Sequence, residues 1–467
     1  MRRNFKIWGL ILFFGLIYGF FSIWRHLRLE SFIFDLGVYD QQIWLISRFK
    51  LLYSSILGAH AWGDHFTPSL VLISPLYWVW DNVVILLVFQ ALVAVLGAYP
   101  IYVLTRKRLK SEWMGLLMAV AYLGFFGVQN AVGFDFHPIV LAATGLAFML
   151  WFYEERKWKW FFITVALVLG LQENFFLTIA AWGGFLVMQY RDFKRGLLLG
   201  VVGVVGFLLV VLVVIPGLGR AEFTYLPRHW ENWTVRDAAK MLIYPRSKVE
   251  VVVATMAAFG GLSLFSPAVW VFFLEEFLQR FLGTSIATRW SVGYQYNVIL
   301  APMAAWGAVL TMERFLKKRL WVGGVMIIAG MVVVQGLTHP ALNVLLKRDF
   351  YNAGYMRVAG KVLAEIPDGA SVAATNNLGA QLAHREGLIF LTNCVEDPRV
   401  WRVDMRRCFS LTADYLVADL RPEANPNSYY PDSREKIERY LNLVEEGKEY
   451  ERVMSEGGFV LYKRVMK

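Results

Sequence analysis

Acidic residues and histidines recur in this chain at the ends of apolar stretches, in short motifs that suit acid–base chemistry. They are Phe34-Asp35-Leu36-Gly37 with Asp40-Gln41, Gly63-Asp64-His65-Phe66, Asp135-Phe136-His137-Pro138 and Gln172-Glu173-Asn174. A carboxylate at a membrane surface can act as a general base, taking a proton from a hydroxyl as that hydroxyl attacks an electrophilic carbon. Asp35, Asp135 and Glu173 are the candidates for that work. Asp40, Gln41, Asp64, His65 and His137 would bind substrate beside them. An Asp-His pair can orient a substrate, contact a phosphate through the imidazole or hold a metal, so Asp64 and His65 are also the candidate ligands of a divalent metal. Each residue has a plainer reading. Asp35 can cap a helix, Asp64 can do the same beside an interfacial histidine, and Glu173 can complement a helix dipole. Capping accounts for Asp135 but leaves His137 unexplained. Glu275-Glu276 lies inside an apolar run, where an ionisable residue is costly and faces the interior of a bundle.

The elements that position these motifs are membrane spans. The chain is 57% hydrophobic and 18% charged over 467 residues, against about 25% charged in an ordinary soluble domain. Eleven apolar runs are candidates for spanning a bilayer: 5–24, 83–104, 113–130, 138–153, 160–171, 174–189, 197–216, 250–265, 267–283, 297–312 and 320–337. The first ends in Phe20, Phe21 and Trp24 with no small-residue cleavage site after it, so it reads as a retained span. The segment 66–80, interrupted by Pro68 and Pro75, reads as an interfacial or re-entrant helix. Basic residues mark the cytoplasmic loops. Arg2, Arg3 and Lys6, then 106–110, 156–159, 191–195 and 314–319, all fall on one side when spans are counted alternately. The N-terminus is therefore expected in the cytoplasm. The acidic and histidine motifs fall on the other side, where they are expected to line one outer-face cavity that opens toward the lipid.

The chain's net charge of +11 belongs to the membrane part, because residues 338–467 hold 18 basic and 18 acidic residues. Basic cytoplasmic loops beside anionic lipid explain it, and nucleic-acid binding is not implied. Two domains are expected. Residues 1–337 would form an all-α polytopic bundle with a long first outer loop, 25–82. Residues 338–467 would form a small α/β domain outside the membrane, with a helix over 350–365, strands at 371–374, 388–391 and 415–418, a helix from 432 capped by Asp432, and a hairpin over 449–464 turning at Gly457-Gly458. The only cysteines, Cys394 and Cys408, lie in this domain. A disulfide between them would close a loop of about 15 residues, worth roughly 3 kcal/mol; two reduced thiols are the alternative. Arg289, or Arg220, Arg228 or Lys240, would hold a phosphate, with Tyr294 and Tyr296 nearby. Trp78, Trp80, Trp230, Trp233 and Trp290 suit an interfacial aromatic belt, with sugar stacking as the alternative.

Taken in order, the motifs carry a resemblance. Phe34-Asp35-Leu36-Gly37 with Asp40-Gln41, Asp64-His65-Phe66 with Pro68 and Pro75, Gln90, Pro100, Asp135-Phe136-His137-Pro138 and Glu173 resemble a family of predicted multi-span membrane proteins of archaea and bacteria. The likeness runs from about residue 20 to 310 and continues more weakly over Ala370 to Arg385. That family resembles the GT-C superfamily of glycosyltransferases, which use polyprenyl-phosphate sugars at the outer membrane face. The resemblance implies a GT-C-like bundle, a polyprenyl-phosphate sugar donor, an unidentified acceptor and a catalytic carboxylate at Asp35. Where the family carries Lys-Glu-Asp, this chain has Gln172-Glu173-Asn174. The alternatives are a transporter or flippase of a lipid-linked or polar solute, for which Gln90 and Glu275-Glu276 are the suitable residues, and a non-catalytic outer-face sensor or assembly protein.

The charge reading makes a topological prediction. With Cys394 and Cys408 replaced by Ser, a cysteine at Ser433 should react with an impermeant thiol reagent on intact cells. A cysteine at Ser111 should react only after lysis. Labelling of Ser111→Cys from outside would reverse the orientation.

Overall fold

A backbone amide left unbonded in hydrocarbon costs several kcal/mol, so apolar runs in a bilayer close their hydrogen bonds internally as helices. All eleven apolar runs coincide with helical structure in the computed structural model, which describes residues 5–218, 233–282, 287–392 and 412–465. Arg220, Arg228, Trp230, Cys394 and Cys408 lie outside the described residues.

Length separates the helices. Phe5–Leu27, Val84–Leu109, Phe193–Gly217, Ala287–Leu316 and Leu320–Thr338 are long and apolar enough to cross a membrane, and the pair Glu112–Leu123 and Phe126–Val132, bent by 49°, makes a sixth. Pro138–Glu154, Trp158–Leu169 and Phe175–Tyr190 are shorter apolar helices. Among the described residues, the eleven expected spans thus become five or six of full length. The reason lies in what interrupts them. Gly124 sits at the bend, and the polar motifs at 135–137 and 172–174 end their helices early. Arg246–Ala258 and Pro267–Phe281 carry charges within their apolar runs. The expected helix over 66–80 is likewise two short pieces, Pro68–Leu72 and Leu76–Val79.

The chain packs as two units. The first holds the N-terminal helix to Ser22, Trp62–Leu70 and Val88–Leu346. Small residues let its helices approach closely, as is usual where lipid supplies no hydrophobic drive. A Cβ on Gly183 would lie 2.4 Å from the Gly196 carbonyl oxygen, and one on Gly203 would lie 2.4 Å from that of Phe176. The basic loops meet at one end of these helices. Arg108 Nη2 donates to both Glu154 oxygens at 2.7 and 2.6 Å, Lys107 Nζ to Glu155 at 2.8 Å, and Tyr153 to Asp192 at 2.9 Å. Helix Pro138–Glu154 begins next to His137 and ends in this cluster, so the basic loops and the Asp135–His137 motif occupy opposite ends of it.

The second unit holds 23–61, 71–87 and 347–467. Most of the segment 25–82 therefore packs with the tail, while Trp62–Leu70 belongs to the first unit. Its strands are β1 (Tyr53–Ser54), β2 (Ala59–His60), β3 (Val372–Ala374), β4 (Leu388–Phe390), β5 (Tyr415–Asp419), β6 (Tyr450–Glu456) and β7 (Phe459–Arg464). β1 and β2 form a small hairpin, and the other five form one sheet in the order β4-β3-β5-β7-β6. The β4-β3-β5 pairings are parallel and the hairpin side is antiparallel. Alternate residues of a strand point to opposite faces. Ala373, Leu416, Ala418, Val460 and Tyr462 meet helix Arg434–Gly447 through Ile437, Tyr440 and Leu441. Val372, Ala374, Val417 and Leu461 meet helix Tyr355–Ala364, and this face is completed by Leu29, Ile33, Val38 and Ile56 of the first loop. The expected cap of Arg434–Gly447 moves by one residue, to Ser433, which accepts from the Lys436 amide. Asp432 bonds Thr392 and Lys436 instead.

The join between loop and tail has a buried hinge point. Asn376 Oδ1 accepts from the Ile33 amide at 2.9 Å, and its Nδ2 donates to the Asn427 carbonyl at 2.7 Å. Asn376→Ala would strand the buried Ile33 amide and break the bond to Asn427, at a cost of about 1–3 kcal/mol. A lower thermal midpoint and faster proteolysis within 23–61 should result; unchanged values of both would remove this bond from the account of how the loop docks.

Candidate functional site

In the first unit the site grows around Glu173. The turn Gln172–Asn174 separates helix Trp158–Leu169 from helix Phe175–Tyr190 and presents Glu173 inward, with 2% of its surface exposed. A buried carboxylate needs charge or hydrogen-bond partners. His65 Nδ1 lies 2.8 Å from Oε1, and the Phe66 amide donates to Oε2 at 3.0 Å. The Gly63-Asp64-His65-Phe66 motif and the Gln172-Glu173 motif, 108 positions apart at His65 and Glu173, are thus one structure. Gln172 Nε2 sits against the same imidazole at 3.1 Å. Burial alone would push the His65 pKa below its usual 6.5, but the Glu173 carboxylate, and then Asp64, outweigh burial and raise it, while Arg289 works against them. The site therefore favours an imidazolium next to two carboxylates.

The Asp135–His137 turn is held from helix Val84–Leu96. Gln90 Oε1 accepts from the His137 amide at 2.7 Å, and Gln90 Nε2 donates to the carbonyls of Asp135 at 3.3 Å and Ala131 at 3.4 Å. His137 Nδ1 faces the Asp135 carbonyl at 3.1 Å. Pro138 occupies the first helical turn, as expected. The Phe134 ring lies 5.6 Å from both His137 and Tyr294, bringing those two residues to one aromatic contact. Arg289 is fixed through its backbone, since Arg280 Nε donates to its carbonyl at 2.8 Å while Arg280 Nη2 bonds Asn297 Oδ1 at 2.7 Å. Its guanidinium sits 5.8 Å from the Tyr296 ring centroid.

Asp35, Asp40 and Gln41 belong to the second unit. Asp35 is half-buried in the first turn of a helical segment that runs through Ile33–Gly37 into Val38–Ser47. Phe32 occupies the cap position, so Asp35 lies within the helical segment itself. Asp40 is buried and bonded to Tyr77 and, at 2.9 Å, to His384 Nε2. Gln41 is buried and engaged by its own chain: its Nε2 donates to Ser55 Oγ at 2.8 Å and to the Arg385 carbonyl at 2.9 Å, and its Oε1 accepts from Ser54 at 2.8 Å. Reading the sequence for motifs passes over His384, Tyr77 and Asp81. The weak likeness over Ala370 to Arg385 was the only signal of His384.

Among the described residues no group of three or more His, Cys, Asp or Glu side chains is arranged to hold a metal. His65 commits one ring nitrogen to Glu173.

The whole chain can be compared with known proteins. Residues 25–461 match the family described as predicted membrane protein (DUF2079). No curated protein shows significant sequence similarity to the chain. Among solved structures, the fold is similar to ArnT from Cupriavidus metallidurans bound to undecaprenyl phosphate, with a TM-score of 0.55, 13% identity and 98% of both chains covered. The apo state of the same protein gives 0.54, 13% identity, and 98% of this chain and 97% of that one. At this identity the likeness shows the fold, which is the GT-C-like fold that the motifs imply.

Because two carboxylates raise the His65 pKa, its charge contributes stability in full below about 6.5 and loses it as pH rises through the raised value. Glu173→Gln removes the largest opposing charge and should lower the His65 pKa, since burial then dominates. A histidine NMR titration reads this directly. An unchanged midpoint would mean that Glu173 does not set the charge of His65.

Proposed function

The chain belongs to the family of predicted membrane proteins designated DUF2079, and from that premise we propose that it transfers a sugar from a polyprenyl-phosphate donor to a hydroxyl acceptor at the outer membrane face. The observation that carries this reading is the similarity of fold over 98% of both chains to a protein whose structure was determined with undecaprenyl phosphate.

Asp35 is the proposed base. It takes the proton of the acceptor hydroxyl as that oxygen bonds to the anomeric carbon, and the bond from that carbon to the phosphate oxygen breaks. The sugar leaves on the acceptor, the bond's electron pair leaves on the polyprenyl phosphate, and the proton rests on Asp35 until water takes it. Helical placement and half-burial suit Asp35 to this work, because it is reachable and held on a rigid element. Within the first unit, His65 and Arg289 are the proposed residues for contacting a phosphate. Glu173 and Asp64 act by keeping His65 charged, and Asp135 acts with His137 beside Tyr294. Asp40 and Gln41 act by fixing the segment that carries Asp35. Membrane lipid supplies the donor, and nothing in this scheme calls for nucleic acid.

Asp35→Asn preserves size and removes the base. Transfer from a polyprenyl-phosphate sugar should fall by about 10²–10⁴-fold, with the thermal midpoint unchanged. A variant with full activity would remove Asp35 from the chemistry. Mass spectrometry of lipid co-purified with the wild type should find a polyprenyl-phosphate species.

A further inference from the structure

One imidazole ties together three separate stretches of the second unit. His384 lies in the tail between β3 and β4. Its Nε2 is 2.9 Å from Asp40 Oδ1, and its Nδ1 is 3.1 Å from Asp81 Oδ1. Asp40 belongs to helix Val38–Ser47, and Asp81 to the segment 71–87. The Tyr77 hydroxyl donates to the same Asp40 oxygen, and its ring stands edge-on to His384 at 4.7 Å. Trp44 stacks on the other side at 5.9 Å. The other charged groups around the ring are engaged. Arg48 pairs with Asp81, and Lys50 pairs with Glu386 above the Trp44 ring. Arg385 donates to the carbonyls of Leu382 and Ala370. His26, within electrostatic reach of Asp40, is bonded to Gln381.

A neutral imidazole carries one N–H and one lone pair. Facing two carboxylates, it can donate to one and must repel the other, whereas an imidazolium donates to both. The two carboxylates are not equivalent. The Asp40 side chain is 1% exposed and that of Asp81 is 48% exposed. An uncompensated buried carboxylate is the costlier of the two. On loss of a proton the remaining N–H therefore stays with Asp40, and the contact to Asp81 opens.

We propose that His384 is a proton-controlled clasp, which as an imidazolium bonds Asp81 and the helix bearing Asp40 to the tail, and which when neutral lets go of Asp81 and loosens that end of segment 71–87, while Tyr77 still holds Asp40. Asp35 lies on the same helical segment, five positions before Asp40, so the clasp positions Asp35 and takes no part in bond making; this link to catalysis rests on the transferase reading. Burial of the ring disfavours its charge, but Asp40, and then Asp81, outweigh both burial and Arg48 and hold its pKa above the usual 6.5. The clasp is thus complete below about 6.5 and is lost as pH rises through the raised value.

Hydrogen–deuterium exchange on the full chain in lipid nanodiscs tests this, with rates corrected for the intrinsic effect of pH, in a series from about pH 5 to about pH 9. In the wild type, peptides within 71–87 should step from protected to at least about tenfold faster exchange as pH rises. His384→Gln should exchange fast throughout. Asp81→Asn, a milder change at a half-exposed site, should remove the step, because an amide can pair with the neutral imidazole as well as with the imidazolium. Equal protection at every pH in the wild type, or a step that survives His384→Gln, would overturn the clasp. The readout is independent of transfer. A step in a protein that consumes no polyprenyl-phosphate sugar would sink the transferase reading and leave the clasp standing. Transfer with no step would do the reverse.

Discussion

A charge taken out of water must be matched inside the protein, and that constraint organises both units. Glu173 is buried and is bonded through both oxygens, to the His65 ring and the Phe66 amide. Asp40 is buried and is bonded to His384 and Tyr77. Asp419 receives two bonds from the Arg421 guanidinium, at 2.9 and 2.7 Å, one from the Arg421 amide at 3.1 Å and one from Asn377 at 2.7 Å. Arg108 meets Glu154 and Glu313 at the basic end of the bundle. Each pair joins segments or turns that hydrophobic burial alone would leave free to slide. Removing one member of such a pair is costly because the other is left charged and dry.

The sheet shows the same economy with apolar groups. One face is covered by helix Arg434–Gly447 of the tail, and the other by helix Tyr355–Ala364 together with Leu29, Ile33, Val38 and Ile56 of the first loop. The tail does not complete its own core. Asn376, fully bonded between the Ile33 amide and the Asn427 carbonyl, fixes where the loop enters this core. Gly379 allows that close approach, since a Cβ there would lie 2.6 Å from Ile33 Cδ1. The segment carrying Asp35 is therefore ordered by residues more than 300 positions away in sequence.

The neutral side chain at position 172 has a physical meaning in this setting. Residue 172 lies against the His65 ring at 3.1 Å. A lysine there would set a second cation beside the imidazole and oppose its charge. Gln172 is neutral, so Glu173 and Asp64 can hold His65 protonated without that competition. The residue type at 172 bears on a histidine that lies more than 100 positions away in sequence.

The sequence by itself determined the helical membrane class and the five-stranded tail with its hairpin at Gly457-Gly458. These are legible because they rest on local signals: apolar run length, strand alternation and turn residues. The length of each helix is less legible, because a run of apolar letters does not register the bend at Gly124 or the charges of Pro267–Phe281. Tertiary structure decided which partner each charge meets. His65 with Glu173, and Asp40 with His384, are pairings across 108 and 344 positions, and no local pattern encodes them. The clearest case is Gln41, a residue type that suits a substrate hydroxyl, which tertiary structure commits to Ser54, Ser55 and Arg385. Polar side chains announce that they need partners, and only packing decides whether the partner is a ligand or the chain itself.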